Sequence, residues 1–322
     1  MKKKIISYII NSPLFHWIID LLKKIRFKKA DVSLYEVIKI FLEKLTQDDI
    51  IERAEAVAFN FTLSIFPAVI FLFTLIPFVH IWIPDVSTES IMEFIGDMMP
   101  VSMYDVISHT VEDIISKQRG GLLTFGVLFS LVLSTSGMLA LMKAFNACYK
   151  TVEKRGFFKT RFIATGLTLM LAFVLILAII LLIVGNFVIN LINTELAWLH
   201  LDDYVVTLLL MLRFVVIFIV FFLAISFIYY FGPAVHYNWR FFSIGSFAST
   251  LLCLAVSYLF SFYITNFGTY NKLYGSIGVL IALMLWQFIL AIVLLVGYEL
   301  NASIHKAHTI GEAVEDEWSK AS

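Results

Sequence analysis

Charge is scarce in this chain. Asp, Glu, Lys and Arg make up 15% of its 322 residues, where a soluble domain carries about a quarter. Hydrophobic residues reach 60%, phenylalanine alone occurs 31 times, and the mean hydropathy is +0.90. A large soluble core does not explain this excess, because the apolar residues come in long blocks without polar alternation. The 24 cations and 24 anions cancel, so global charge singles out no partner.

Cysteine is nearly absent as well. Cys148 and Cys253 lie far apart, in or beside apolar blocks, and define neither a disulfide framework nor a metal site. The seven histidines are scattered; His305 and His308 are three apart but have no other ligand nearby. G-x-S-x-G, the P-loop lysine, H-E-x-x-H and C-x-x-C are all missing. So are the clustered carboxylates or histidines with which a nuclease holds metal. The sequence therefore points to no catalytic residue, no metal, no cofactor and no nucleic-acid partner, and reads as a non-enzyme.

What is present is a set of long apolar runs. A bilayer core of ~30 Å needs ~20 apolar residues to cross as a helix. Six segments qualify, at about 59–83, 122–142, 162–192, 205–231, 242–265 and 275–302. In lipid each must be helical, because unpaired backbone groups are costly there. The third run exceeds the need and should tilt or project outward. The expected fold is an all-α polytopic membrane protein in three parts: cytoplasmic or interfacial amphipathic helices over 1–58, a six-helix domain over 59–302 and a cytoplasmic tail over 303–322.

Lysine and arginine set the orientation. Eleven precede span one, six lie between spans two and three, Arg240 lies between four and five, and Lys306 and Lys320 follow span six. That places 20 of the 24 on one side, against Lys117, Arg119 and Lys272 on the other, with Arg213 inside span four. Both termini are expected in the cytoplasm.

The lysine-rich start is not a cleaved signal peptide, since Asn11, Ser12, Pro13, His16 and Asp20 break the apolar run and no small-residue cleavage site follows. Ser12-Pro13 reads as an N-cap and first helical residue of an interfacial helix on an anionic leaflet. The run "SLYE", Ser33 to Glu36, is a capping box that opens a second helix, and "TQDD", Thr46 to Asp49, breaks the pattern before a third, over 48–58, that runs into span one. On the far side, 84–121 is an acidic loop whose apolar residues at helical spacing predict two short amphipathic helices, separated by Pro100. The stretch "TNFGTYNKLYGSIGVLI", Thr265 to Ile281, looks at first like a phosphate-binding loop. Topology puts its centre outside, and it reads as a membrane re-entry turn with an interfacial aromatic belt.

Polar residues inside the spans are few, and each calls for a reason. Arg213 lies eight residues into span four, ~12 Å deep at 1.5 Å per residue. An intramembrane charge is a functional hypothesis by default, and no Asp or Glu shares its depth. Asn186, Asn190 and Asn193 of span three fall at i, i+4 and i+7 on one helix face. The first two should reach the level of Arg213. Together these four form a candidate pocket for an anion such as a lipid phosphate. The bland alternative is an arginine that snorkels or is held by the asparagines as a packing device.

A second cluster gathers at the inner margin: Arg53, Glu55, Asn60, Lys143, Asn146, Glu299 and Asn301. It reads either as a salt-bridged gate or as interface residues that pair locally. Pro67 and Pro77 of span one, and "STSG" at Ser134 to Gly137 of span two, mark kinks with small-residue packing, or a hinge or broken-helix site.

Four segments resemble a known family: "ERAEAVAFNFTLSIFP" (Glu52 to Pro67), "SGMLALMKAFNACY" (Ser136 to Tyr149), "YNKLYGSIGVLIALMLWQF" (Tyr270 to Phe288) and "GYELNA" (Gly297 to Ala302). They are similar to the YihY family, also called virulence factor BrkB, and the likeness runs from about residue 35 to 305. The resemblance implies a six-helix bacterial inner-membrane protein. It carries no assigned activity across, although transport is a common suggestion and members have borne a ribonuclease BN name. The absent nuclease residues argue against that name. The expected function is transport or binding of an amphiphilic or anionic compound, membrane lipid first. The alternative is a non-catalytic scaffold of envelope machinery, and a nuclease ranks last.

Overall fold

The computed structural model describes residues 20–24, 26–27, 32–47, 49–80, 129–149, 153–194, 203–234, 240–266 and 269–321. Side chains over 69–80, most of 179–210, most of 265–279 and 311–321 are not described. The expected interfacial helix from Ser12 and the two helices over 84–121 fall almost wholly outside the described residues.

Seven long helices carry the described fold. They are α1 (Leu34–Gln47), α2 (Ile50–His80), α3 (Ser136–Cys148), α4 (Phe157–Thr194), α5 (Asp203–Phe231), α6 (Ile244–Asn266) and α7 (Thr269–Ala321). Among the described residues the secondary structure is helical apart from a two-residue antiparallel pairing of β1 (Arg26–Phe27) with β2 (Val32–Ser33), in register Arg26 to Ser33 and Phe27 to Val32. Among the described residues five helices are long and apolar enough to cross a membrane: Phe129–Cys148, Phe157–Ala178, Met211–Phe231, Ile244–Ile264 and Leu280–Ile310. The first predicted span, 59–83, falls on α2 as far as His80, and α2 is helical over 31 residues.

Local sequence explains the starts. The capping box forms as read: Ser33 N–H donates to Glu36 Oε2 at 2.9 Å and Glu36 N–H returns to Ser33 Oγ at 3.3 Å, satisfying two orphan donors at the head of α1. At the head of α2 the Arg53 N–H bonds Asp49 O at 3.0 Å, and Glu52 in the first turn favours the positive helix end. α6 opens with Ser243 and Ser246 reciprocally bonded at 3.1 Å.

α7 is central, packing against α1, α2, α3 and α6. Close approach comes from glycine. Gly137 N–H donates to Ser64 Oγ of α2 at 2.9 Å, and a Cβ on Gly137 would sit 2.8–2.9 Å from Phe61, including its Cα. A Cβ on Gly297 of α7 would run into Ser249 Oγ of α6 and the Tyr229 hydroxyl of α5. That hydroxyl donates to Leu294 O at 2.6 Å. Small residues let helix backbones meet where the solvent offers no hydrophobic drive between them.

The apolar core joins α2, α3, α5 and α7 at the lysine-rich end, through Ala54, Val57, Met138, Leu141, Phe145, Ile228, Tyr229, Leu295 and Tyr298. Phe158 and Phe162 of α4 and Tyr258 of α6 instead stand at least 74% exposed, as side chains facing hydrocarbon would. α2 begins at Ile50, so the helix expected over 48–58 runs on into span one, and α7 continues unbroken past Ala302 to Ala321. Its extension buries Ala307 against Val37 of α1, with Ile40, Leu300 and Ile304 alongside.

Candidate functional site

Between α2 and α3, at their lysine-rich ends, the structure holds a cavity of about 400 Å³ lined by Arg53, Ala56, Asn60, Ser136, Leu139, Ala140, Lys143, Ala144, Ala147 and Arg161. The spacing explains it. Arg53, Ala56 and Asn60 follow one face of α2, while Ser136, Ala140, Lys143, Ala144 and Ala147 follow one face of α3. Four alanines facing across the helix pair leave the space, and cations edge it.

Each cation is held differently. Arg53 Nη1 donates to Ala144 O at 3.3 Å and to Cys148 Sγ at 3.2 Å, and its Nη2 lies 3.7 Å from Glu299 Oε1. Arg161 reaches across from α4. Its Nη1 donates to Val132 O at 2.9 Å and Thr135 Oγ1 at 3.0 Å. Those acceptors lie where the helical residues 129–134 turn at Thr135 into α3, so the arginine satisfies a carbonyl freed by the break. Arg161 Nε is buried without a hydrogen-bond partner. Lys143 is exposed. Among the described residues the lining contains no carboxylate.

Glu299 stands behind Arg53 and is fully buried. Lys44 of α1 donates to its Oε2 at 3.0 Å and to Cys148 O at 3.3 Å, and lies 5.2 Å from the Tyr149 ring centroid. One carboxylate of α7 thus ties α1 to α2, and Lys44 also meets the negative end of α3.

The other expected site residues divide. Arg53 and Glu299 come together as an ion pair, and Asn60 and Lys143 join Arg53 in the cavity lining. Asn146 turns elsewhere: its Oδ1 accepts from Ala234 N–H at 2.7 Å and its Nδ2 donates to Glu153 at 3.0 Å. Asn301 Oδ1 accepts from Gly245 N–H at 2.8 Å and its Nδ2 donates to Ser243 Oγ at 2.8 Å, capping α6. Glu55 is exposed on α2. Pro67 and Pro77 lie within a helix that continues unbroken past both.

Arg213 sits half-buried on α5, 18 residues before Phe231, whose carbonyl accepts from Arg155 at 3.3 Å. It is therefore about 27 Å along the axis from the lysine-rich end. Asn186, Asn190 and Asn193 belong to α4, which packs on α5; their side chains lie outside the described residues.

Glu153 anchors the connection into α4. Arg155 grips its carboxylate twice at 2.7 Å, and that hydrogen bonding holds the carboxyl below its ordinary value despite partial burial. Among the described residues no three His, Cys, Asp or Glu side chains gather. The cavity brings together positive charge with hydroxyl and amide groups, a set of donors that an anion could accept from.

The model of the virulence factor BrkB family matches residues 41–321. The chain belongs to this family. Two of the segments that carry the resemblance, 52–67 and 136–149, supply nine of the ten cavity residues, and Arg161 is the tenth. The BrkB match therefore takes in the whole cavity and the Lys44–Glu299 pair. YfkH of Bacillus subtilis (strain 168), named as a ribonuclease-like protein, is 29% identical over 254 residues, covering 79% of this chain and 90% of that protein. A UPF0761 membrane protein of Tolumonas auensis is 31% identical over 72 residues, 22% of this chain and 24% of that one. No solved structure matches the chain. The protein is thus a multi-pass membrane protein of the BrkB family.

Arg161 and Ser136 were not among the site residues expected from the sequence. Arg161 counted there as a topology charge, and Ser136 as part of a small-residue packing motif. The signal for both was the alanine and serine stripe of α3 opposite Ala56 and Asn60.

Proposed function

We propose that the protein is a six-span inner-membrane protein, with both termini cytoplasmic, that binds an anionic amphiphile by its headgroup and carries it across the bilayer. It does no covalent chemistry in this reading. The observation that supports it is a cavity edged by Arg53, Lys143 and Arg161 with no carboxylate in its described lining. α2 is the first of the six spans, and the charge bias places the cavity at the inner leaflet. Lipid is the first expectation because anionic lipids concentrate there. Arg213 and the asparagines of α4 would receive the charged group near the outer leaflet.

Binding tests the reading first. Purified protein in neutral detergent should quench or polarise a fluorescent anionic lipid and leave a zwitterionic one unaffected. Lys143→Glu should abolish the difference. Equal binding of both lipids by the wild type would refute the headgroup site and leave the scaffold reading in its place. Labelling of single cysteines at positions 3, 84 and 320 by an impermeant reagent in intact cells tests the topology: only position 84 should react.

A further inference from the structure

We infer that the cavity selects a lipid whose headgroup ends in a phosphate bearing two negative charges or more, as a monoester or diphosphate, over a phosphodiester lipid. The inference rests on the headgroup reading above and narrows it. It comes from a charge count over the groups that face the cavity and its back wall. Lys44 and Arg53 are paired with the Glu299 carboxylate. Lys143 meets no carboxylate among the described residues. Arg161 is bonded to a carbonyl and a hydroxyl, which leave its charge uncancelled. Glu52 and Glu55 are exposed on α2 and lie outside the lining. Glu153 is engaged by Arg155. Setting aside the paired Lys44 and Arg53, Lys143 and Arg161 leave two positive charges at the cavity that no carboxylate of the described residues cancels.

A phosphodiester headgroup brings one negative charge, and a terminal phosphate brings close to two at neutral pH. Only the terminal phosphate also presents three unsubstituted oxygens. These suit the Arg161 guanidinium and the Lys143 ammonium, together with the Asn60 and Ser136 polar groups. The cavity of about 400 Å³ holds a phosphate with room for its ester linkage but not for hydrocarbon chains. Chains have a surface of their own: Phe59, Leu63 and Phe66 run along α2 beside Asn60 at i, i+4 and i+7, each at least 50% exposed. That juxtaposition of a polyanion pocket and an open apolar stripe favours a lipid over a free phosphate.

The test uses full-length protein in neutral detergent and displacement of a fluorescent phosphatidic acid. The competitors are phosphatidic acid, phosphatidylglycerol, phosphatidylcholine and inorganic pyrophosphate. Phosphatidic acid should compete about tenfold better than phosphatidylglycerol, the effect of one added charge-assisted hydrogen bond. Phosphatidylcholine and pyrophosphate should fail at the same concentration. Lys143→Met, at an exposed position without an ion pair among the described residues, should cut that preference to about threefold or less with the fold intact. Lys159→Met, outside the lining, should leave it unchanged. Equal competition by phosphatidic acid and phosphatidylglycerol overturns the charge selectivity but not the anionic-headgroup reading. Competition by phosphatidylcholine as strong as either overturns both. Pyrophosphate competing as well as phosphatidic acid assigns the site to a soluble phosphate and overturns the lipid.

Discussion

Glu299→Gln is the sharpest test of how the lysine-rich end holds together. The carboxylate is 0% exposed, 3.0 Å from Lys44 Nζ and 3.7 Å from Arg53 Nη2. Removing one partner of a buried ion pair costs about 3–5 kcal/mol, because the charge left behind stays desolvated. Two features lower the figure here. The Lys44 and Arg53 side chains keep 15% and 16% of their exposure, so water can reach them. Glutamine also retains an oxygen that accepts from Lys44. The expected loss is about 2–3 kcal/mol. At about 2 °C per kcal/mol for a chain of this size, the apparent melting temperature in detergent at fixed scan rate should fall by about 4–6 °C. Lys44→Met alone should also destabilise, since it strips the closer cation from a buried carboxylate. In the Glu299→Gln background it should cost at least about 1 kcal/mol less than in the wild type, the signature of coupling. A melting temperature within about 1 °C of wild type for Glu299→Gln, or strict additivity in the double variant, would refute the account of Glu299 as the ionic tie between α1 and α2.

Three further outcomes follow from other contacts. Gly137→Val should cost about 2–3 kcal/mol through overpacking, since its Cβ would press on the Phe61 backbone; expression with unchanged melting would show that α2 and α3 can separate freely. The Glu153–Arg155 clamp should weaken in acid. A carboxyl with a lowered folded value stabilises above its unfolded value and loses that contribution as pH falls through the folded one. Arg155 also holds Phe231 O and Gly232 O, so amide exchange at Gly232 and Ala234 should accelerate below about pH 4 relative to the core of α3. Exchange that rises in parallel everywhere would count against the clamp. Arg213→Leu should slow transfer of a fluorescent phosphatidic acid between leaflets in proteoliposomes while leaving headgroup binding at the Arg53 end intact. Wild-type transfer rates would remove Arg213 from the route.

The parts of this fold that were legible in the sequence are those set by short-range or solvent rules. A bilayer imposes a length on every crossing, so the apolar runs gave the helices from span two to span six. The Ser33–Glu36 capping box is a four-residue decision and formed as read. Hydropathy reports the membrane rather than the helix, however. It could not see α7 running on past Ala302 to carry the surface on which α1 docks. The Lys44–Glu299 contact joins residues 255 apart. Nothing in the pattern around Lys44 singles it out from the other lysines of the first 58 residues.

The inner-margin cluster shows why a list of polar residues near one depth is not yet a site. Depth is a single coordinate, and helix rotation supplies the second. Asn146 and Lys143 are three residues apart on α3, yet Asn146 faces the connection after α5 and Lys143 faces the cavity. Asn301 and Glu299 are two apart on α7, and that difference sends one to the head of α6 and the other to Lys44. The asparagines became backbone partners because an amide offers both a donor and an acceptor, which a helix start or a tight connection needs. Arg53 keeps Glu299 behind the cavity wall, while the alanines of α2 and α3 offer Lys143 and Arg161 no carboxylate. The same sequence window therefore contains both helix-tying residues and cavity-lining ones. They separate only when the rotation of each helix is fixed, and Gly137 fixes it for α3 by bringing that face of the helix against Phe61.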